Sequence, residues 1–494
     1  MLLLFGGLYV VLFTGPGNGI VKPILEGKLD NIIEGEVRLE EFMLRPGRFA
    51  FEISLDRNSK VVAKGSMNLF ARSIDAAYDL TILELSRLEH LINYPLKGPL
   101  NTSGTVRGNL SGLFIKGMGD VASGKTGYQI KLIDFEPKSV EVTIKDARIE
   151  EILHLLNQPH YASGLLEVTA DVSNINLKEI GMDGLVKTKI HQGKVNGDVV
   201  NKEFDMTLPQ QMAFKCDAQT RLEKNLAISK VDFLSDIADL FSQRSVANLQ
   251  SAAIESDYKI RIPDLDKLYF ATNRHLKGSL EVDGEIKMGK TVLATGKSNI
   301  LGGTLDFRLE NNIFNANLRD IQTLAVSDML LYPKIFSSSG GAEVNYDLAA
   351  KRGVLEAELK EGKILPNQLM TLLSSMAKFD IRKEVYGNIS LKSEIDDEII
   401  LSELYMKSRH TTINSENAEI DLDNEKIDAK IEIAIKGTGF IARIKGNINK
   451  PKVNLDASAL LKAKATDKLE KKLEKKLPEE FKEPVKKLFD FFRR

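Results

Sequence analysis

The sequence has little of what usually cross-links a chain or holds a metal, since Cys216 is its only cysteine. An intrachain disulfide and a cysteine-based zinc site are therefore excluded. A charge excess is also missing: 68 Lys and Arg stand against 69 Asp and Glu, for a formal net charge of −1. Nucleic-acid-binding surfaces normally carry a basic excess. We therefore expect no nucleic-acid partner.

Catalytic signatures are missing as well. The 6 histidines are scattered, and neither His-Glu-x-x-His nor Gly-x-Ser-x-Gly occurs. Gly119–Thr126 matches the letters of a phosphate-binding loop, but residues 127–132 alternate like a strand where that loop needs a helix. We interpret it as a glycine-rich hairpin turn and not as a nucleotide site. The sequence predicts a protein that is not an enzyme and has no catalytic residues, metal or cofactor.

No ionisable side chain precedes Lys22, and the uncharged run is predicted to break at Thr14–Gly19. A membrane helix needs about 20 mostly apolar residues, so an anchor over residues 1–21 is just long enough. A cleaved secretory signal and a buried core helix remain the alternatives. The anchor's membrane contacts would be Leu4, Leu8 and Leu12.

From about residue 35 the dominant sequence period is two, which is typical of strands with one apolar and one solvated face. Residues 22–456 are therefore predicted to form one β-rich body. The apolar members of the clearest alternating runs would line a shared surface: Phe49, Phe51, Ile53, Leu55, Tyr128, Ile130, Leu132, Val140, Val142, Ile144, Leu280, Val282, Ile286, Ile427, Ile431 and Ile433.

A glycine-led strand pattern recurs five times, starting at Gly98, Gly164, Gly278, Gly340 and Gly387. Repetition of one supersecondary unit predicts an array of strands, not a closed enzyme core. Each copy follows a short helix-like run, and residues 231–250 are predicted to form a longer amphipathic helix. The short helices are predicted at residues 85–93, 147–157, 265–270, 321–331 and 365–376.

Residues 457–494 change character, because Lys and Arg outnumber Asp and Glu and apolar residues recur at helical spacing. This basic amphipathic tail fits an anionic membrane surface or the groove of a partner protein. A terminal helix that caps the sheet is the alternative. The predicted contact residues are Phe481, Val485, Leu488 and Phe492.

Three stretches resemble the AsmA-like family, the AsmA/TamB-type proteins of the Gram-negative envelope: Tyr9–Asn18 with Pro23–Leu29, the repeated helix-plus-strand pattern, and Gly446–Asp456. The resemblance implies a single-pass inner-membrane protein with its body in the periplasm. It also implies an elongated, curled (taco-like) antiparallel-rich β-sheet with an apolar groove and short interspersed helices. Members are implicated in moving phospholipids between the inner and outer membranes.

A sheet with one apolar face must cover that face. The predicted helices are too few to do so, which leaves a second sheet layer, giving a sealed sandwich, or a lipid. Burying each methylene is worth about 0.8 kcal/mol, so acyl chains are a suitable cover. We therefore predict a non-enzymatic carrier of phospholipids along a hydrophobic groove, bound to the inner membrane and, through its tail, to the outer membrane or an envelope protein. The alternative is an anchored periplasmic scaffold that assists outer-membrane protein assembly or envelope integrity.

Overall fold

The computed structural model is mainly β, with 64% strand and 13% helix. Within the described part of the chain, no helix has the length and apolar character needed to span a membrane. The predicted contacts Leu4, Leu8, Leu12, Phe481, Val485, Leu488 and Phe492 lie outside the described residues. Those are 13–30, 37–55, 58–68, 70–89, 94–109, 111–205, 207–366, 374, 379–448 and 450–456.

The chain divides into two compact units. The first contains fourteen strands: β1 Arg38–Arg45, β2 Arg48–Ser54, β3 Lys60–Asn68, β4 Ser73–Ile82, β5 Leu100–Asn109, β6 Gly112–Val121, β7 Gly124–Ile133, β8 Glu136–Arg148, β9 Ala162–Asn176, β10 Gly181–Asn196, β11 Gln211–Lys224, β12 Leu226–Ser235, β13 Asp239–Asn248 and β14 Ile254–Ile262.

The next strand, β15 Leu280–Met288, has residues in both units. The second unit contains the remaining strands: β16 Val292–Ile300, β17 Gly303–Glu310, β18 Ile313–Gln322, β19 Phe336–Asp347, β20 Arg352–Ile364, β21 Asn388–Asp396, β22 Ile399–Lys407, β23 Thr411–Asp421, β24 Lys426–Ile435, β25 Thr438–Asn447 and β26 Lys452–Asp456.

Within each unit, strands that follow one another in the chain pair antiparallel and form an open ladder. Tight turns make this order possible. Ala122 and Ser123, which join β6 to β7, both have positive φ, as two-residue hairpin turns require. The Gly119–Thr126 segment is therefore a strand–turn–strand hairpin, and its prediction as a hairpin turn is confirmed.

The described helices are short and lie between strands, apart from the first one. They are α1 Gly15–Asp30, α2 Ile149–Leu155, α3 Gly197–Phe204, α4 Tyr269–Thr272 and α5 Thr323–Met329, with 3₁₀ helices at Leu85–Leu88, Leu265–Leu268 and Ile381–Lys383. The helices predicted at 147–157, 265–270 and 321–331 are thus present. In the one at 85–93, residues 85–88 form a 3₁₀ helix, residue 89 is α-helical and residues 90–93 lie outside the described residues, as does most of 365–376.

One local prediction was wrong. Residues 231–250 form no helix: they belong to β12 and β13, because Ser235 Oγ accepts the backbone N–H groups of Ile237 and Ala238 and closes a turn between the strands. Asn196-Gly197, a dipeptide typical of turns, starts helix α3 here, since Asn196 Oδ1 accepts the Val199 N–H at 3.4 Å and caps the helix.

At the break predicted for Thr14–Gly19, residue 13 is helical, Thr14 forms a bend and helix α1 begins at Gly15. Thr14 Oγ1 accepts the Gly17 N–H at 3.3 Å, and Pro16 lies in the first turn, where its missing N–H costs nothing. The helix runs through the predicted domain boundary at residues 21 and 22.

Helix α1 covers the free edge of β1. Three of its side chains, spaced four residues apart on one side of the helix, bond β1 backbone groups. Asn18 bonds both the N–H (3.3 Å) and the carbonyl (3.1 Å) of Leu44. Lys22 Nζ donates to the Glu40 carbonyl at 3.3 Å, and Glu26 accepts the Leu39 N–H at 2.8 Å. An unpaired edge strand is a template for association, and this helix blocks it.

The predicted repetition has a structural counterpart in two six-strand blocks, β4–β9 and β14–β19. Both have a 3₁₀ helix after the first strand and an α-helix before the last. In the first block, the Leu85 N–H donates to the Gly98 carbonyl and the Lys97 N–H to the Leu155 carbonyl. The second block repeats both bonds.

The repeated bonds run from Leu265 to Gly278 and from Lys277 to Met329. Gly98 and Gly278, the first glycines of two of the predicted copies, both have positive φ, which a residue with a Cβ rarely adopts. In these two copies, the first glycine therefore marks the point where the chain returns to the sheet after a helical connection.

Two closed hydrophobic cores lie where the helical connections between strands cover part of a sheet. In the first unit, Val37, Leu55, Ile82 and Leu85 are buried, with Leu29 of α1 packed against them. In the second unit, a larger core contains ten buried residues: Ile364, Ile381, Tyr386, Ile389, Met406, Ile413, Ile433, Ile435, Phe440 and Ala442. The helical pieces thus cap the sheet locally.

Replacing Asn18 and Glu26 together by alanine should destabilise the first unit and expose the β1 edge. We expect a loss of about 1–3 kcal/mol in unfolding free energy, together with concentration-dependent association. Urea denaturation and light scattering after size-exclusion chromatography measure the two effects. Lys28→Ala, on the same helix, is the control and should change neither. A double variant as stable and as monodisperse as the wild type would contradict the edge-capping role.

Candidate functional site

Residues directly opposite one another on successive strands form rungs whose side chains share one face of the sheet. One rung crosses the first unit through Phe51, Ala63, Tyr78, Gly104, Gly117, Tyr128, Val142, Ala170 and Val186. A neighbouring rung passes through Phe49, Ile130 and Val140, and another through Ile53 and Ile144. We call this surface the apolar face of the first unit. It brings together predicted lining residues from strands far apart in sequence.

The second unit has a corresponding apolar face. Its central rung is Leu305, Leu318, Ala342, Ala357, Leu391, Leu404, Ser415, Ile431 and Ala442. Ile427 and Ile433 lie on the same face of β24. Leu280, Val282 and Ile286 alternate along β15, the strand that has residues in both units.

Burial separates the predicted lining residues into two groups. Leu55, Val282 and Ile433 are buried, and the first and last of these belong to the closed cores. The other thirteen are only partly buried; of these, Ile53 and Ile431 pack against the closed cores, whereas Phe51 and Val142 do not belong to either core. The apolar faces therefore keep accessible hydrophobic surface outside the two cores.

The opposite face of the first unit is charged. Lys64 pairs with Glu41 at 3.0 Å, Arg107 with Asp75 at 3.1 Å, and Lys189 with Asp217 at 3.4 Å. These pairs are exposed, so water screens them and each contributes little to stability. Their position identifies this face of the sheet as the one solvated by water.

A hydroxyl cluster interrupts the apolar face of the first unit. Tyr78 of β4 and Tyr128 of β7 reach towards each other across β5 and β6, and their hydroxyl oxygens lie 2.5 Å apart. Thr102 Oγ1 is 2.6 Å from the Tyr128 oxygen and donates to the Met118 carbonyl at 3.0 Å. A Cβ at Gly104 or Gly117 would collide with these hydroxyls, so the two glycines make room for the ring pair.

The phenol of Tyr78 is neutral over the physiological range. Burial raises its pKa well above the usual value for tyrosine, and the hydrogen bond to Tyr128 raises the pKa further. The sequence analysis missed Tyr78 and Thr102, because β4 and β5 lack clean alternation and their partners are distant in sequence. Gly104 and Gly117, which lie opposite each other on β5 and β6, were the sequence feature that could have indicated room for large side chains there.

Further hydroxyls follow on the same rung, where Val186 is succeeded by Thr220, Ser229, Ser245 and Ser256. Thr220 and Ser229 are hydrogen-bonded at 2.8 Å. The neighbouring rung stays apolar, with Leu222, Ala227, Ala247 and Ile254. The face thus carries a narrow hydroxyl stripe in its later strands.

The second unit also has an open concavity of about 1280 Å³ along β18–β23. Its lining includes acidic, basic and amide side chains of the charged face, such as Glu343, Glu356, Lys392 and Asn414. Among the described residues, no group of three or more His, Cys, Asp or Glu side chains is placed to hold a metal. The concavity therefore has a mixed lining, since Leu318, Leu391 and Leu404 contribute beside these polar groups.

The most buried carboxylate belongs to Glu384, which joins the two ends of a turn. It accepts hydrogen bonds from Ser408 Oγ (2.5 Å) and the His410 N–H (3.0 Å), and its other oxygen lies 3.0 Å from His410 Nδ1. A nucleophilic triad needs histidine between serine and carboxylate. Here the carboxylate lies between them, so the cluster fixes the β22–β23 turn.

No protein-family model, curated protein or solved structure matches this chain.

The Glu384 cluster predicts a pH-dependent stability. Burial alone would raise the pKa of this carboxyl, but hydrogen bonds from Ser408 and His410 outweigh it and lower the pKa below the usual value. A lowered native pKa stabilises the fold above the unfolded-state value of about 4.3, and this stabilisation is lost as the pH falls through the native value.

We therefore expect Glu384→Gln to cost about 1–3 kcal/mol at pH 7 and progressively less as the pH falls from about 5 to 3. Urea denaturation of both proteins across this range measures the difference. Glu394→Gln, which changes an exposed carboxylate on β21, is the control and should have little effect. A cost for Glu384→Gln that does not vary with pH would contradict the prediction.

Proposed function

We propose that this protein binds phospholipid acyl chains on its apolar faces and carries lipid between membranes without catalysing a reaction. The observation that supports the proposal is the partial burial of apolar side chains along consecutive rungs, from Phe51 to Val186 in the first unit. Outside the two closed cores, these side chains keep surface that another apolar molecule can cover. A sealed interior would bury them as it buries Leu55 and Ile433.

Acyl chains fit this surface physically. Each methylene removed from water contributes about 0.8 kcal/mol, so a two-chain lipid does not escape into water at a useful rate. A face whose rungs continue from strand to strand lets a lipid move sideways without that penalty. The hydrogen-bonded ladder satisfies the backbone beneath, so the lipid meets only side chains.

The proposal extends to location and partners. The resemblance to AsmA-like proteins suggests a periplasmic body anchored in the inner membrane, delivering phospholipid to the outer membrane directly or through an envelope protein. The ladder architecture suits such a carrier because strands can be added without changing the face. An anchored scaffold for outer-membrane protein assembly has no comparable observation in its favour.

Val142→Asp tests the proposal. Val142 is partly buried in the central rung, so a carboxylate there should leave the protein folded but reduce bound phospholipid roughly tenfold, because an acyl chain would have to desolvate the charge. Native mass spectrometry of the protein purified from membranes in mild detergent measures the bound lipid, and thermal melting checks the fold. Thr143→Asp, the adjacent residue on the charged face, is the matched control and should keep the lipid.

Two results would overturn the proposal. One is the absence of any co-purifying phospholipid from the wild type. The other is global unfolding of Val142→Asp, which would place Val142 in a sealed core. Val282, which is buried on β15, provides the contrast: Val282→Asp should destabilise the protein by several kcal/mol because an unpaired charge would be enclosed.

A further inference from the structure

The hydrogen bonds of the hydroxyl cluster in the first unit have a defined donor-to-acceptor direction. A backbone carbonyl can only accept, so Thr102 must donate its hydrogen to Met118. Thr102 therefore accepts from Tyr128, whose own hydrogen is used in that bond, and Tyr128 in turn accepts from Tyr78. All three hydroxyl hydrogens are spent within the chain of bonds. The Tyr78 oxygen at its start keeps its lone pairs, so it can accept a hydrogen bond and cannot donate one.

The surroundings of Tyr78 select the kind of donor. On the same face of β4, Ile74 and Ala76 lie towards one end of the strand and Leu80 and Ile82 towards the other. The directly opposite residues are Ala63 and Gly104. A charged headgroup brought here would lose its water without gaining a counter-charge. A neutral donor close to acyl chains fits, and an ester carbonyl, which only accepts, gains nothing.

We propose that the Tyr78–Tyr128–Thr102 chain is a binding site for a lipid hydroxyl next to the acyl chains, and that it favours lipids with a free hydroxyl over fully esterified ones. This inference rests on the proposed lipid-carrying function and names a selectivity within it. The site also accounts for the two glycines, since any larger residue at Gly104 or Gly117 would push the rings off the sheet.

A matched pair of lipids tests the inference: a 1,2-diacylglycerol and its 3-acetyl ester with the same acyl chains. Delipidated full-length protein is offered both in detergent, and native mass spectrometry gives the ratio bound. We expect the wild type to prefer the free hydroxyl roughly five- to tenfold, as one hydrogen bond in an apolar setting allows. Tyr78→Phe keeps the ring and removes the acceptor, so its ratio should fall to about one with total lipid unchanged.

A second variant tests the direction of the chain. Thr102→Val removes the acceptor for Tyr128, so Tyr128 can donate to Tyr78 and Tyr78 can donate outward. Its preference should shift towards the acetyl ester, which a purely structural role for the rings does not predict. Tyr346→Phe, on the apolar face of the second unit, is the control and should keep the wild-type ratio.

The outcomes separate the two proposals. Equal binding of both lipids by the wild type, or a preference that Tyr78→Phe retains, overturns the hydroxyl site and leaves lipid carrying intact. Binding of neither glyceride by a wild type that co-purifies with phospholipid also overturns the hydroxyl site alone, whereas a wild type that binds no lipid of any kind overturns the proposed function and the hydroxyl site with it.

Discussion

Register between neighbouring strands is the constraint on which the rest of this protein depends. Side chains alternate between faces along every strand, so a slip of one residue would move a whole apolar set into water. The pairing of Phe51 with Ala63, and onward to Tyr128 and Val142, keeps one face apolar across many strands. The ion pairs between Lys64 and Glu41 and between Arg107 and Asp75 lie on the other face, where water solvates them.

A ladder of this kind creates two physical problems, and the structure answers each locally. The unpaired edge of β1 is covered by α1 through Asn18, Lys22 and Glu26. The apolar face is covered only in part, around Leu55 in the first unit and around Tyr386 in the second. The remaining apolar surface is the basis for the proposed lipid-carrying function, because hydrophobic surface left exposed in a folded protein commonly marks a binding site.

Repetition and local variation have different roles here. The blocks β4–β9 and β14–β19 share the hydrogen bonds of their helical connections, so one arrangement of strands and helices is repeated along the chain. The side chains on the apolar face are not the same in each repeat. Two aromatic hydroxyls meet over glycines in the first block, and a serine-rich stripe follows on β12–β14. A uniform apolar track would carry any acyl chain, whereas hydroxyls at fixed rungs allow selection among lipids.

Local sequence patterns were enough to predict a mainly β fold, the hairpin at Gly119–Thr126 and most of the short helices between strands. Period-two alternation, turn residues and glycines that allow positive φ are properties of neighbouring residues and need no tertiary contact. The sequence could not give the pairing of residues 231–250, where a serine-closed turn overrides a helical pattern, or the meeting of Tyr78 with Tyr128, which are fifty residues apart. Helix α1 was hidden by its glycines and prolines, although Asn18, Lys22 and Glu26 at four-residue spacing were a usable signal. Tertiary structure alone decided which apolar residues are enclosed and which stay accessible, because Leu55 and Phe51 look alike in an alternating strand and differ only in what the crossovers place above them.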